Sequence, residues 1–231
     1  MEARRDLTSR GRFAMPSAHM PSLRQLLAAH APLLVIDAAS AQVQVGRLRA
    51  EGAGEWQTSG EEAGVGVFAC LEKLGAAPGD FGAWLFCDGP GSVLGIRTVA
   101  MALRTWGVIA PRPVFAYHSL ALVAHALGNN EISFIADARR DAWHHCRLGG
   151  SLRRVPTAEL AGELVMPEKF RHWSALPAGV TRVPYSLAEL LPRVLDAEVF
   201  RQTEAPDAFL HEEPSYVTWT PRIHRAPAPK P

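Results

Sequence analysis

The sequence predicts an α/β protein with mixed sheets, built as two related units facing each other across a cleft. Three observations predict it. Short apolar runs that read as buried strands alternate with segments of helical periodicity. Two of those runs are followed at once by an alternating segment that reads as a hairpin partner. The strand-plus-hairpin unit that ends in IDAAS at Asp37 recurs as a unit ending in IADAR at Asp137, a weak internal duplication.

Residues 1–20 have few apolar side chains, several arginines and no periodicity, and read as a tail. Leu23, Leu26 and Leu27 suit a short helix. LLVIDAAS (33–40) is a buried strand, and AQVQVGRL (41–48) alternates as its partner. Residues 61–75 predict a helix with Val65, Phe68, Leu71 and Leu74 on one face and Gly75 as its stop. AWLFC (83–87) is a second buried strand, running through DGPGS (88–92) into a helix over about 92–106. PVFAY (113–117) predicts a strand and HSLALVAHAL (118–127) a helix. EISFIADA (131–138) predicts a strand, with AWHHCRL (142–148) as its hairpin partner. Leu187, Leu190, Leu191 and Val194 mark a late helix, while 150–184 has too little periodicity to assign. RAPAPKP closes the chain as a disordered end.

The chain has 231 residues, 48% hydrophobic and 20% charged, enough to bury a sizeable core. The formal net charge of +1 supplies no long-range field for nucleic acid. No dense basic patch is evident outside the N-terminal tail, so direct nucleic-acid binding would need a local patch that the sequence does not display. Cys70, Cys87 and Cys146 are odd in number and widely spaced, forming neither a disulfide framework nor a zinc site. A reducing cytoplasm fits them. No apolar stretch approaches the ~20 residues of a membrane helix.

Asp88-Gly89-Pro90-Gly91-Ser92, with Gly95-Ile96-Arg97 following, is the sharpest local feature. A glycine-rich turn between a strand and a helix start is the physical form of an anion cradle, and Ser92 is a natural N-cap. It lacks the lysine of a nucleotide loop, and the plainer reading is a tight strand–helix turn serving packing alone. Asp37 at its strand end could ligate a metal-bound phosphate, but Ala39 stands where a glycine would admit one. The plainer role is a hydrogen bond to the adjacent turn. Asp137-Ala138-Arg139 occupies the equivalent strand end, and Arg139, Arg140 and Asp141 could equally be a solvated turn. His144 and His145 are adjacent and point to opposite faces of a strand, so no metal is expected. Neither Ser92 nor Cys87 has an evident base.

LLVIDAAS, FCDGPGSVLGIRTVAMAL, VFAYHSLALVA and FIADARRDAWHHCRL follow in the order and spacing of the TsaB (YeaZ) family, which carries a Gly-Pro-Gly-Ser turn leading into a Gly-x-Arg helix. EEPSYVTW (212–219) resembles the family's Pro-x-Tyr strand. The resemblance implies an actin-like (ribonuclease H-like, ASKHA) fold with duplicated domains: one over 30–115, a second, degenerate one over 116–210, and a C-terminal strand and tail over 211–231. It implies a non-catalytic scaffold in the threonylcarbamoylation of the tRNA adenosine beside the anticodon, with no cofactor. A TsaD-like transferase would be the partner, with a TsaE-like ATPase joining, a homodimer when the chain is alone, and tRNA reached only indirectly. Asp37, Asp88, Gly89, Pro90, Gly91, Ser92, Arg97, Asp137 and Arg139 would be relics of phosphate loops. Phe68, Leu71, Leu94 and Met101 would touch the partner. The chain departs from the pattern at Ala38, Val93 and Leu94, where the family has polar or aromatic residues. These departures push the site further from ligand binding and favour one alternative, a divergent paralogue with another partner; the other, a phosphotransferase or ATPase of the same fold, would need a glycine-bearing phosphate hairpin after Asp37. Peptidase chemistry, suggested by the older M22 glycoprotease naming of such proteins, finds no ligand set.

Overall fold

A computed structural model describes residues 20–49 and 54–209. The expected tail before residue 20 and the expected strand over 212–219 lie outside the described residues. The chain runs α1 (Leu23–His30), β1 (Leu33–Asp37), β2 (Val43–Leu48), β3 (Gly54–Ser59), α2 (Ala63–Lys73), β4 (Ala83–Gly89), α3 (Val93–Ile109), β5 (Val114–His118) and α4 (Ser119–Leu127). It continues through β6 (Ser133–Asp137), β7 (Ala142–Cys146), β8 (Arg153–Pro156), β9 (Leu164–Pro167), β10 (Thr181–Val183), α5 (Leu187–Leu190) and β11 (Arg201–Gln202).

Two mixed sheets result. The first has the order β11-β5-β4-β1-β2-β3 and the second β10-β9-β6-β7-β8. In the first, β1 pairs antiparallel with β2 and parallel with β4, and β4 runs parallel to β5. In the second, β6 pairs antiparallel with β7 and parallel with β9, and β9 runs parallel to β10. Apart from β11, the sheets therefore repeat one strand order with one antiparallel member in the same place. Asp37 ends the leading strand of the first repeat and Asp137 that of the second.

The leading strands are central because their sequences suit no other place. LLVID is buried at every position, and SFIA of β6 likewise, as strands covered on both faces require. Helix α4 lies where the sheets meet, touching β4 and β5 of one and β6 and β7 of the other. Leu120, Leu122, Val123 and Ala124 are all fully buried there, which explains a helix apolar on nearly every side.

Three expectations need correction. The stripe that α2 buries is Gly66, Val67, Cys70 and Leu71, followed by Leu74; Val65 and Phe68 are 61% and 53% exposed. Gly66 sets the rotation, since a Cβ there would stand 3.1 Å from Val43 and 3.3 Å from Ser59. The late helix is one α turn followed by a 3-10 turn over Leu191–Val194, because Pro192 lacks the N–H that would continue the ladder. Strand β3 went unpredicted because EGAGEWQTSG has the composition of a turn. It forms by pairing with β2, where Trp56 lies over Gly46 so closely that a Cβ there would meet the indole at 2.5 Å.

Among the described residues no helix is long and apolar enough to cross a membrane. Leu122→Ala should cost about 2–5 kcal/mol. Because α4 serves both sheets, calorimetry should show one transition shifting as a whole; a split melt with only one step moved would contradict this packing.

Candidate functional site

The strand ends that could have formed a ligand site are occupied by the protein itself. Asp37 is fully buried. Its Oδ1 accepts the Ala39 N–H at 2.8 Å, and its Oδ2 accepts the hydroxyls of Tyr117 at 2.8 Å and Tyr185 at 2.6 Å. Burial pushes the carboxyl above its usual range, against the pull of these donors, Tyr185 foremost. Burial and the neighbouring Asp37 raise both tyrosines well above 10, so they remain donors. The plain reading of Asp37, a hydrogen bond to the next turn, is what forms.

The glycine-rich turn is closed in the same way. Gly89 and Gly91 have φ of 127° and 154°, and the Gly89–Pro90 bond is cis. A Cβ at Gly91 would stand 2.4 Å from the carbonyl oxygen of Ala39, and one at Gly95 would stand 2.3 Å from that of Ala38. These glycines admit the chain's own backbone where a phosphate would have approached. The Ser92 N–H is spent on the Ala39 carbonyl at 2.7 Å, and Ser92 Oγ caps α3 by accepting the Gly95 N–H at 3.3 Å. The Ser119 hydroxyl holds the Pro90 carbonyl at 2.6 Å.

Asp88 turns away from this loop. Its fully buried carboxylate accepts His118 Nδ1–H at 2.8 Å and meets the Arg201 guanidinium, clamping β11 to the ends of β4 and β5. Burial lowers the pKa of His118, partly offset by a hydrogen bond with the Gly89 backbone. Arg97 points elsewhere again, 3.7 Å from Asp207. A cleft of about 290 Å³ does open between the starts of α2 and α3, lined by Glu61, Glu62, Ser92, Gly95 and Arg171. Two carboxylates against one guanidinium make it a poor place for an anion.

At the second strand end, Asp137 Oδ1 accepts the Arg139 N–H, repeating the bond that Asp37 makes two residues on. Its Oδ2 accepts the N–H groups of Trp173 and Ser174. Partial burial raises its pKa, but the N–H donors of Ser174, Trp173 and Arg139 together outweigh it, so the carboxyl sits below its usual range. Among the described residues no group of three or more His, Cys, Asp or Glu is placed to hold a metal.

What the fold leaves open is a helix surface. On α3, Leu94, Thr98, Met101, Thr105 and Val108 form one stripe, with Leu94, Met101 and Val108 exposed at 76%, 57% and 85%. Thr98 and Thr105 spend their hydroxyls on the carbonyls of Leu94 and Met101, which leaves their methyl groups to the stripe. Val65 and Phe68 of α2 extend it, with Phe68 set edge-on to Trp106 at 6.1 Å. Leu71, expected in this surface, faces the core instead and is 5% exposed.

Sequence reasoning missed Tyr117, Tyr185, His118 and Arg201. Tyr117 and His118 were in view at a strand end, but nothing local ties Tyr185 or Arg201 to residues more than 100 positions away.

The structure is similar to that of YeaZ from Pseudomonas aeruginosa, with a TM-score of 0.51 and 21% identity over 70% of this chain and 87% of that one. It is equally similar to an uncharacterized protein from Pseudomonas aeruginosa described as having similarity to peptidase YeaZ, with a TM-score of 0.51 and 22% identity over 69% of this chain and 87% of that one. At this identity the likeness is one of fold. No family model and no curated protein matches the chain by sequence.

Two outcomes follow. Gly95→Ala, in a helix with ordinary φ, should destabilise by about 1–3 kcal/mol in denaturant unfolding, because Ala38 must give way. Asp137→Asn should cost stability at neutral pH. Since the native carboxyl titrates below its unfolded value near 3.9, the deficit should shrink as pH falls through that range. A deficit that stays constant down to about pH 2 would show that the carboxylate charge is not what the N–H donors hold.

Proposed function

We propose that the chain is a non-catalytic, TsaB-like scaffold subunit of actin-like fold, which acts by packing α2 and α3 against a TsaD-like transferase in the threonylcarbamoylation of tRNA. The observation that carries this reading is the uncharged stripe of α3, exposed beside Val65 and Phe68 of α2. A monomer leaves few such stretches open, and the centre of an interface is built from charge-poor apolar side chains of this kind. The repeated strand order of the two sheets and the YeaZ-like fold support the family assignment. The consumption of Asp37, Asp88 and the glycine-rich turn by internal bonds supports the absence of catalysis. A TsaE-like ATPase would join the transferase, and the same stripe would serve a homodimer when the partner is missing. No observation favours a phosphotransferase, which needs the space that Ala38 and Ala39 fill.

Met101→Asp tests the reading. The residue is exposed, so circular dichroism should be unchanged. A buried unpaired charge should weaken capture of the TsaD-like partner by several kcal/mol, to below detection in a pull-down. Unchanged capture by a folded Met101→Asp protein would remove this face as the grip. ATP turnover by the isolated chain that Asp37→Ala abolishes would remove the non-catalytic reading.

A further inference from the structure

The turn between β6 and β7 holds Arg139, Arg140 and Asp141 in the left-handed backbone region, with φ of 60°, 53° and 54°. That is an unfavourable conformation for three successive side chains, and such outliers cluster where function demands them. Two bonds fix the turn, the Ala138 N–H to the Ala142 carbonyl at 2.9 Å and the Ala142 N–H to the Arg139 carbonyl at 3.2 Å. Both guanidinium-bearing residues are left exposed at its tip.

Two other parts of the chain come to the same corner. The segment after β9 returns over Asp137, which binds the Trp173 and Ser174 N–H groups. It thereby sets Trp173 under Arg139, with the guanidinium carbon 4.3 Å from the ring centroid. Trp173 is nonetheless 61% exposed, and Arg171 and His172 beside it are exposed too. From β8, Arg154 donates to the Arg139 carbonyl at 3.2 Å. Arg139, Arg140 and Arg154 form no ion pair among the described residues, whereas Arg171 lines the cleft that holds Glu61 and Glu62. The nearby carboxylates are engaged, Asp137 by backbone N–H groups and Asp141 by the Thr157 hydroxyl at 2.7 Å.

We propose that this corner binds single-stranded or looped nucleic acid. Unpaired guanidiniums suit phosphates, and an exposed indole already stacked on one arginine is a platform for a base. An acidic peptide would satisfy the guanidiniums but has no use for the indole. Residues 139–140, 154 and 173 are dispersed in the sequence and gathered by the fold. The proposal goes beyond the partner face and uses none of its residues, so either can fail without the other.

Anisotropy of a labelled oligouridine of about 12 nucleotides, titrated with the full chain at two salt concentrations, tests it. Wild type should bind, more weakly at higher salt. Trp173→Ala should weaken binding about ten-fold or more, Trp173→Phe should retain it, and Arg140→Glu with Arg154→Glu should weaken it and flatten the salt dependence. Lys73→Glu, on α2, should change nothing. Wild-type affinity in folded Trp173→Ala and Arg140→Glu variants would overturn the proposal. So would an equal loss in Lys73→Glu, or polyphosphate binding as tightly as oligouridine, since either would mean that charge alone is read.

Discussion

The fold depends on a buried polar knot at the end of β1. Asp37 and Gln44 are register partners across the first hairpin, and both side chains reach the segment just before α5. Asp37 takes the Tyr185 hydroxyl; Gln44 donates to the Tyr185 carbonyl at 3.0 Å and accepts the Leu187 N–H at 2.9 Å. Two neighbouring polar residues thus tie a segment some 140 residues away to the centre of the first sheet. Each such bond is worth only about 1 kcal/mol net, but an orphaned member costs about 1–3 kcal/mol, so the knot specifies its arrangement by penalising every other one. Tyr117 belongs to the same knot, bringing β5 in alongside β1.

That knot decides what the strand ends can do. A carboxylate that accepts two hydroxyls and an N–H in a dry site has little left to offer a metal or a phosphate. The adjoining backbone of Ala38 and Ala39 lies against Gly91 and Gly95 at distances that only glycine permits. The glycine-rich turn keeps the form of an anion cradle while its interior is filled by protein. Asp88 follows the same logic, with its charge answered by Arg201 and its second oxygen by His118. Groups that could do chemistry hold elements of the fold together instead.

Two surfaces of opposite character remain. The α2–α3 face has apolar side chains and threonines whose hydroxyls are turned back on their own helix. The corner at Asp137 has Arg139, Arg140 and Arg154, which pair with no carboxylate among the described residues, around an open indole. One suits a protein surface that excludes water, and the other a solvated polyanion; neither could take the other's ligand without stranding charge or exposing apolar area.

By itself the sequence determined the two leading strands with their hairpin partners, the helices α2, α3 and α4, and the repetition of the unit at Asp37 and Asp137. These are local matters of periodicity, and LLVID or SFIAD can hardly be anything but a covered strand. It also determined that the glycine-rich turn would join β4 to α3 with Ser92 as cap. Tertiary structure alone decided the rest. The short strands β3, β8, β9 and β10 exist through pairing, because three to six residues carry too little pattern to declare themselves. The face that α2 buries was decided by the contact of Gly66 with β2 and β3, which put Phe68 outside and Leu71 inside. The fates of Asp37 and Asp88 were decided by Tyr185 and Arg201, and the basic corner by three segments that meet only in space. Hydrogen bonds and charges act over a few ångströms, and only the folded chain brings residues so distant along it within that reach.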